Sequence, residues 1–171
     1  MRLYHVSEEA GIKIFHPRPS PQFYESIQGD VVFAISQKML HNYLLPRDCP
    51  RVTYYANAGS AVEDVRKFIG NSNSKYIINV EECQRTAILQ TKLYLYEFAH
   101  HDFELLDKGA GYYISYRSVI PQKVIEITDI PEELKKYDVE LRYHSQLKQL
   151  AENISNSSLQ FSIIRLRNAR S

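Results

Sequence analysis

No apolar run in this sequence approaches the roughly 20 residues that a membrane-crossing helix needs. Even VVFAI, from Val31 to Ile35, is cut off by Ser36. The first residues include Arg2, Tyr4 and His5, where a secretion signal requires an apolar stretch. Cysteine is scarce: Cys49 and Cys83 are too few for a disulfide framework and suit a reducing compartment. Charge of one sign is lacking too. The net charge is +1, so no whole-molecule field draws in nucleic acid or a membrane surface. The expectation is a cytoplasmic protein with no membrane contact, and the balanced charge argues against nucleic acid as its partner.

Motifs are missing as well. There is no Walker loop, GxGxxG or GxSxG, which argues against P-loop kinases, Rossmann dehydrogenases and α/β-hydrolases. No HxxxH, HxH or CxxC spacing supports a metal. His100-His101-Asp102 reads as a solvated turn, because adjacent residues of a strand face opposite ways.

What is abundant is tyrosine, with 13 residues against no tryptophan. Tyrosine combines an apolar ring with a polar tip and favours strands and wet pockets. The chain of 171 residues is long enough for one domain with its own core. Strands are read at RLYHV, IKIF, VVFAIS, RVTYYA, KYIINV, KLYLYEFA, DFELLD, GYYISY, KVIEIT and VELRY. In KLYLYEF the alternation groups Leu93, Leu95 and Phe98 near one face and the tyrosines on the other. Helices are read at QKMLHNYLL, stopped by Pro46, at SAVEDVRKFIG with Ser60 as N-cap, at IPEELKKY and at HSQLKQLAENIS. Ser7 is placed to cap a single helical turn with Glu8 and Glu9. HPRPSPQFYESIQGD, from His16 to Asp30, is a surface loop, and FSIIRLRNARS a basic solvated tail. The sum is a strand-rich α+β fold in one domain over residues 1–171.

Two candidate sites follow from the residues. His5 shares a strand face with Leu3 and with Ser7, a donor–acceptor pair at a strand end, although histidine beside leucine is more often a satisfied core or rim residue. In LLPRDCPRV, Arg47 and Arg51 flank Asp48 and Cys49 between two prolines. That makes either a rigid anion clamp or a structural loop in which Asp48 pairs with an arginine. Two guanidinium groups would also lower the pKa of Cys49.

LYHVSEE, VVFAI, LLPRDCPRVTYYA, GYYIS and IRLRNA together resemble a family of uncharacterised bacterial proteins, through nearly the whole chain. A histidine in the first strand, then a VFA strand running into a helix that ends in tyrosine, is similar to the ADP-ribosyltransferase-like fold. That resemblance implies split sheets with a few short helices and a pocket for NAD as substrate, with no other cofactor. It assigns His5 to the ribose, Phe33 and Ala34 to the pocket wall, Tyr43 to stacking on nicotinamide, and puts Ser36 nearby. Two positions depart from the pattern. Val32 stands where the second-strand tyrosine should be. Ser115, Arg117 and Ser118 stand where a late-strand glutamate should be, and Arg117 has the wrong sign to stabilise positive charge growing on the sugar. Glu97, Glu104 or Glu126 substitutes only if the fold sets it beside His5.

Three functions compete on these grounds. The first is a small-molecule nucleotide pocket without assured transferase activity. The second is a non-catalytic interaction module that uses the Pro-rich loop and exposed tyrosines. The third is an RNA 2'-phosphotransferase-like phosphate binder that uses Arg47, Arg51 and the basic tail.

Overall fold

The structure is a computed structural model that describes residues 1–171. It is a strand-rich α+β fold whose chain separates into two compact units. One comprises Met1–Tyr43 and Lys92–Thr128, the other Leu44–Thr91 and Asp129–Ser171. No helix is long and apolar enough to cross a membrane.

The first unit holds β1 (Arg2–Ser7), β2 (Val32–Ser36), β5 (Leu93–Ala99), β6 (Glu104–Asp107), β7 (Tyr112–Ser115) and β8 (Lys123–Ile127). They form one six-stranded sheet in the order β6-β7-β2-β1-β5-β8, and every pairing is antiparallel. One face carries the core made by Leu3, Phe15, Val32, Ala34, Tyr96, Phe98, Phe103 and Val119. Phe98 therefore lies with Tyr96 and Tyr94, not with Leu93 and Leu95 as the sequence suggested. A strict period of two puts positions 94, 96 and 98 together, and the aromatic rings fill the core on that side. Tyr96 is fully buried because its hydroxyl is satisfied: it donates to the Glu9 carbonyl at 2.7 Å and accepts from the Ile12 N–H at 3.1 Å.

The expected IKIF strand is reduced to a single bridge, Phe15 to Val119. The turn expected at Ser7 is not helical. The Ser7 hydroxyl accepts from the Glu9 N–H at 3.0 Å and shapes a bend. QKMLHNY is helical but of the tight 3-10 kind, over Gln37–Tyr43.

The second unit holds β3 (Arg51–Tyr55), β4 (Tyr76–Glu81), β9 (Val139–His144) and β10 (Gln160–Ile164). Their order is β10-β3-β4-β9, with β4 and β9 parallel. Its helices are α1 (Val62–Asp64), α2 (Arg85–Gln90), α3 (Ile130–Lys136) and α4 (Lys148–Ser155). α1 widens into a π-helical turn over Val65–Ile69 that ends at Gly70, whose φ of 64° suits a residue without a side chain. Ser60 does not cap α1; Ala61 stands at that position. Asp129 caps α3 by accepting from the Glu132 N–H at 3.0 Å, with Pro131 in the first turn. Leu147, Ala151 and Ile154 pack with Val52, Tyr54, Phe68 and Ile77. The C-terminal segment is not a solvated tail. Gln160–Ile164 pairs with β3 along its whole length, and Ala169 is buried in the same core.

Candidate functional site

His5 is held by the backbone of the neighbouring strand. The β1–β2 ladder pairs Leu3 with Ser36 and Tyr4 with Ile35. One step on, the His5 Nδ1–H donates to the Phe33 carbonyl at 3.1 Å. The ring also lies 4.9 Å from the Phe15 ring, tilted at 57°. A half-buried imidazole thus takes up a backbone carbonyl at the end of a ladder, which is what a buried polar group requires.

Phe33 and Tyr43 do come together, through Tyr112. The Phe33 and Tyr112 rings are 6.2 Å apart, as are the Tyr43 and Tyr112 rings, and the hydroxyls of Tyr43 and Tyr112 are hydrogen-bonded. Tyr24 extends the cluster from the Pro-rich loop. The cluster lies on the sheet face opposite His5. Val32 and Ala34 share the core face with Leu3, so Phe33 between them points the other way. Register agrees, since Phe33 pairs with Ile114 and Ile35 with Tyr112. His5 and Phe33 therefore point from opposite faces of the sheet. Ser36 faces the core side and meets the β6–β7 turn, its N–H donating to the Gly111 carbonyl at 2.9 Å.

None of the three substitute glutamates stands beside His5 in the sheet. Glu97 pairs with Tyr4, so it projects from the opposite face, and it holds Arg2 at 3.2 Å. Glu126 lies two strands from β1 and pairs with Lys92 at 2.9 Å. Glu104 lies three strands away, roughly 14 Å by ordinary strand spacing.

The arginine loop resolves differently from the clamp expected there. Arg51 is 2% exposed. Its Nε donates to the Cys49 carbonyl at 2.9 Å, and its Nη2 donates to the carbonyls of Pro46 at 2.8 Å and Arg47 at 3.3 Å. The guanidinium staples its own loop and is closed to a ligand. Cys49 is 1% exposed, and burial pushes its thiol up to about 11 despite the nearby Arg51 charge. The expected lowering is reversed because desolvation of a thiolate outweighs one cation. Arg47 remains exposed.

A hollow of the first unit lies at the β6–β7 edge. It is a groove of about 440 Å³ lined by the turn His101–Phe103, by Glu104, and by the segment 114–119. The segment that departs from the ADP-ribosyltransferase pattern is thus its wall. The Ser115 hydroxyl donates to the Arg117 carbonyl at 3.2 Å and accepts from the Arg117 N–H at 3.3 Å, which fixes the backbone that carries Arg117. The Ser118 hydroxyl is bonded to His16 Nδ1 at 2.8 Å. The Tyr116 hydroxyl donates to the Ser26 carbonyl and accepts from the Gln28 N–H, each at 3.4 Å, so the Pro-rich loop is tied to the same edge. Arg117 forms no ion pair. No group of three or more His, Cys, Asp or Glu side chains is gathered to hold a metal ion.

The sequence pattern of one family matches residues 4–169, which takes in nearly all of both units. The chain belongs to DUF6886, a family of unknown function. No curated protein and no solved structure matches it. DUF6886 membership spans the segments quoted above for a whole-chain family resemblance. The likeness to the ADP-ribosyltransferase-like fold rests on the residues quoted for it alone.

Sequence reasoning named Arg117 and Glu104 only as a misfit and a distant substitute. Their meeting in one groove depends on the β6–β7 register, Glu104 to Ile114, which no local motif announces. The His-His-Asp turn was the available signal, a polar corner that leads into β6.

Proposed function

We propose that this DUF6886 protein binds a nucleotide-type ligand, with phosphate and a hydroxyl-bearing sugar, in the groove at the β6–β7 edge. The observation that carries the reading is Arg117, an exposed guanidinium that forms no ion pair although Asp102 and Glu104 line the same groove. A guanidinium offers a planar fork to phosphate oxygens. Carboxylates accept hydrogen bonds from sugar hydroxyls, and Tyr116, 41% exposed, offers a ring face to a base. The volume falls within the ordinary range for small-molecule sites.

NAD and ADP-ribose belong to this ligand class, with NAD as the substrate if any bond is broken. Glu104 would then hold a ribose hydroxyl. Arg117 would oppose the positive charge that grows on the sugar, so the reading is binding without glycosyl transfer.

Isothermal titration with ADP-ribose and with NAD tests it. Wild type should bind, and Arg117→Ala should weaken binding about tenfold, the loss of about 1.4 kcal/mol expected for a charge-assisted contact. His5→Ala should bind as wild type does. Absence of binding, or equal affinity in Arg117→Ala, would remove the proposal. The interaction-module reading has one observation in its favour: Phe23, at 89% exposure, crowns the Pro-rich loop.

A further inference from the structure

The second unit carries a concentration of positive charge that the overall balance conceals. Arg165, Arg167 and Arg170 lie within the last seven residues, and no acidic residue follows Glu152. The fold brings Arg47 to them. Asn168, in the short turn Leu166–Asn168, donates from Nδ2 to the Asp48 carbonyl at 2.8 Å, which joins the tail to the loop that holds Arg47.

The arginines are held in place. Ala169 is buried and Leu166 packs against the core between them, while Arg165 sits in the left-handed region with φ 57°. None of Arg47, Arg165, Arg167 and Arg170 forms an ion pair. The acids at this end are largely spoken for. The Glu81 carboxylate is 1% exposed and accepts from the main-chain N–H of Arg170 at 2.9 Å, and it forms no ion pair with that residue's guanidinium. Glu82 is taken by Arg85, and Asp48, exposed in the loop of Arg47, forms no ion pair.

The same end offers an aromatic ring. Ile164 pairs with Arg51, Arg51 with Val80 and Val80 with Tyr143, so Tyr143 lies in one row with the start of the basic segment. The Arg85 guanidinium already stacks on it, 3.7 Å from the ring centroid. A monophosphate needs one or two guanidinium forks, and four exceed that need. Leu166 and Ala169, the apolar residues among these arginines, turn into the core, so this surface has no apolar wedge to insert into a bilayer.

We propose that this end of the four-stranded sheet binds single-stranded nucleic acid, with Arg47, Arg165, Arg167 and Arg170 on successive phosphates. The proposal uses no residue of the first unit's groove and does not depend on that reading.

Fluorescence anisotropy of the full chain with a labelled oligouridylate of about 12 nucleotides tests the proposal. Affinity should fall between about 50 and 200 mM KCl with a log–log slope of about −2.8, from roughly −0.7 for each phosphate neutralised. Arg47→Ala and Arg167→Ala should each bring the slope about 0.7 closer to zero. Arg167→Lys should keep it. Circular dichroism should show every variant folded. No binding at the lowest salt, or a slope untouched by both alanine variants, overturns the proposal. So does sedimentation with phosphatidylserine vesicles in place of binding to the oligonucleotide.

Discussion

His144 Nε2 lies 2.7 Å from Asn79 Oδ1, and the same Asn79 side chain donates from Nδ2 to the Val52 carbonyl at 3.0 Å. The second bond fixes which way the amide points, so its oxygen faces the ring and His144 carries its proton on Nε2. Burial first, and then the Arg142 charge, hold the His144 pKa below its ordinary range. The unfolded chain takes up a proton here below about pH 6.5, whereas the folded protein does so only at lower pH. Stability tied to the neutral ring is therefore complete above that pH and declines as the pH falls. Glu140 and Asp64, held low by hydrogen bonds from Arg142 with Ser72 and from Ser158 respectively, act only in a more acidic window. The melting temperature of wild type should drop between pH 7 and 5, and His144→Gln should flatten that drop. Scanning fluorimetry across the range decides it.

The two cysteines should separate cleanly. Cys83 is exposed, while Cys49 is buried with its pKa at about 11. Ellman's reagent should titrate one thiol promptly in the native protein and the second only on unfolding. Cys83→Ser should abolish the prompt phase, and a prompt phase surviving in that variant would contradict the burial of Cys49.

Gly111 has a φ of 69°, and a Cβ there would sit 2.5 Å from Ser36 Oγ and 2.8 Å from Met39 Cγ. Gly111→Ala combines a disfavoured backbone with overpacking and should cost about 3 kcal/mol. A shift of the urea midpoint with an unchanged m-value is the expected signature. Stability equal to wild type would show that the β6–β7 turn rearranges.

Phe23 projects from the Pro-rich loop with 89% of its surface exposed. Phe23→Ser should leave stability within about 0.5 kcal/mol, as for other surface changes. A large loss in thermal unfolding would mean that the ring packs against something in solution.

Most strands were legible because one buried face leaves a period of two, as at KLYLYEF, and two buried faces leave a continuous apolar run, as at VVFAI and KYIINV. The errors have specific causes. Phe98 was set with the leucines because apolar character was read before pitch, and the buried Tyr96 shows that a satisfied tyrosine counts as core. β10 was hidden because its pairing partner, β3, lies far back in the chain and Arg165 closes it at once. α2 went unread because only Ile88 among its residues is buried. Arg51 looked like a ligand clamp because a sequence shows charge and not solvent access. The meeting of Glu104 with Arg117 in one groove, and of Asp48 with Asn168, arises from tertiary pairing and has no local signature.

The parallel pairing of β4 with β9 has a consequence for synthesis. Tyr76 is registered against Val139, and everything from Lys92 to Thr128 is translated between them. On the ribosome β4 must wait with one edge open while the first unit's remaining strands emerge. Long-range pairings of this kind make folding slow and expose an unpaired edge in the interval. The maturation of the second unit is thus timed by the final stretch of its own translation.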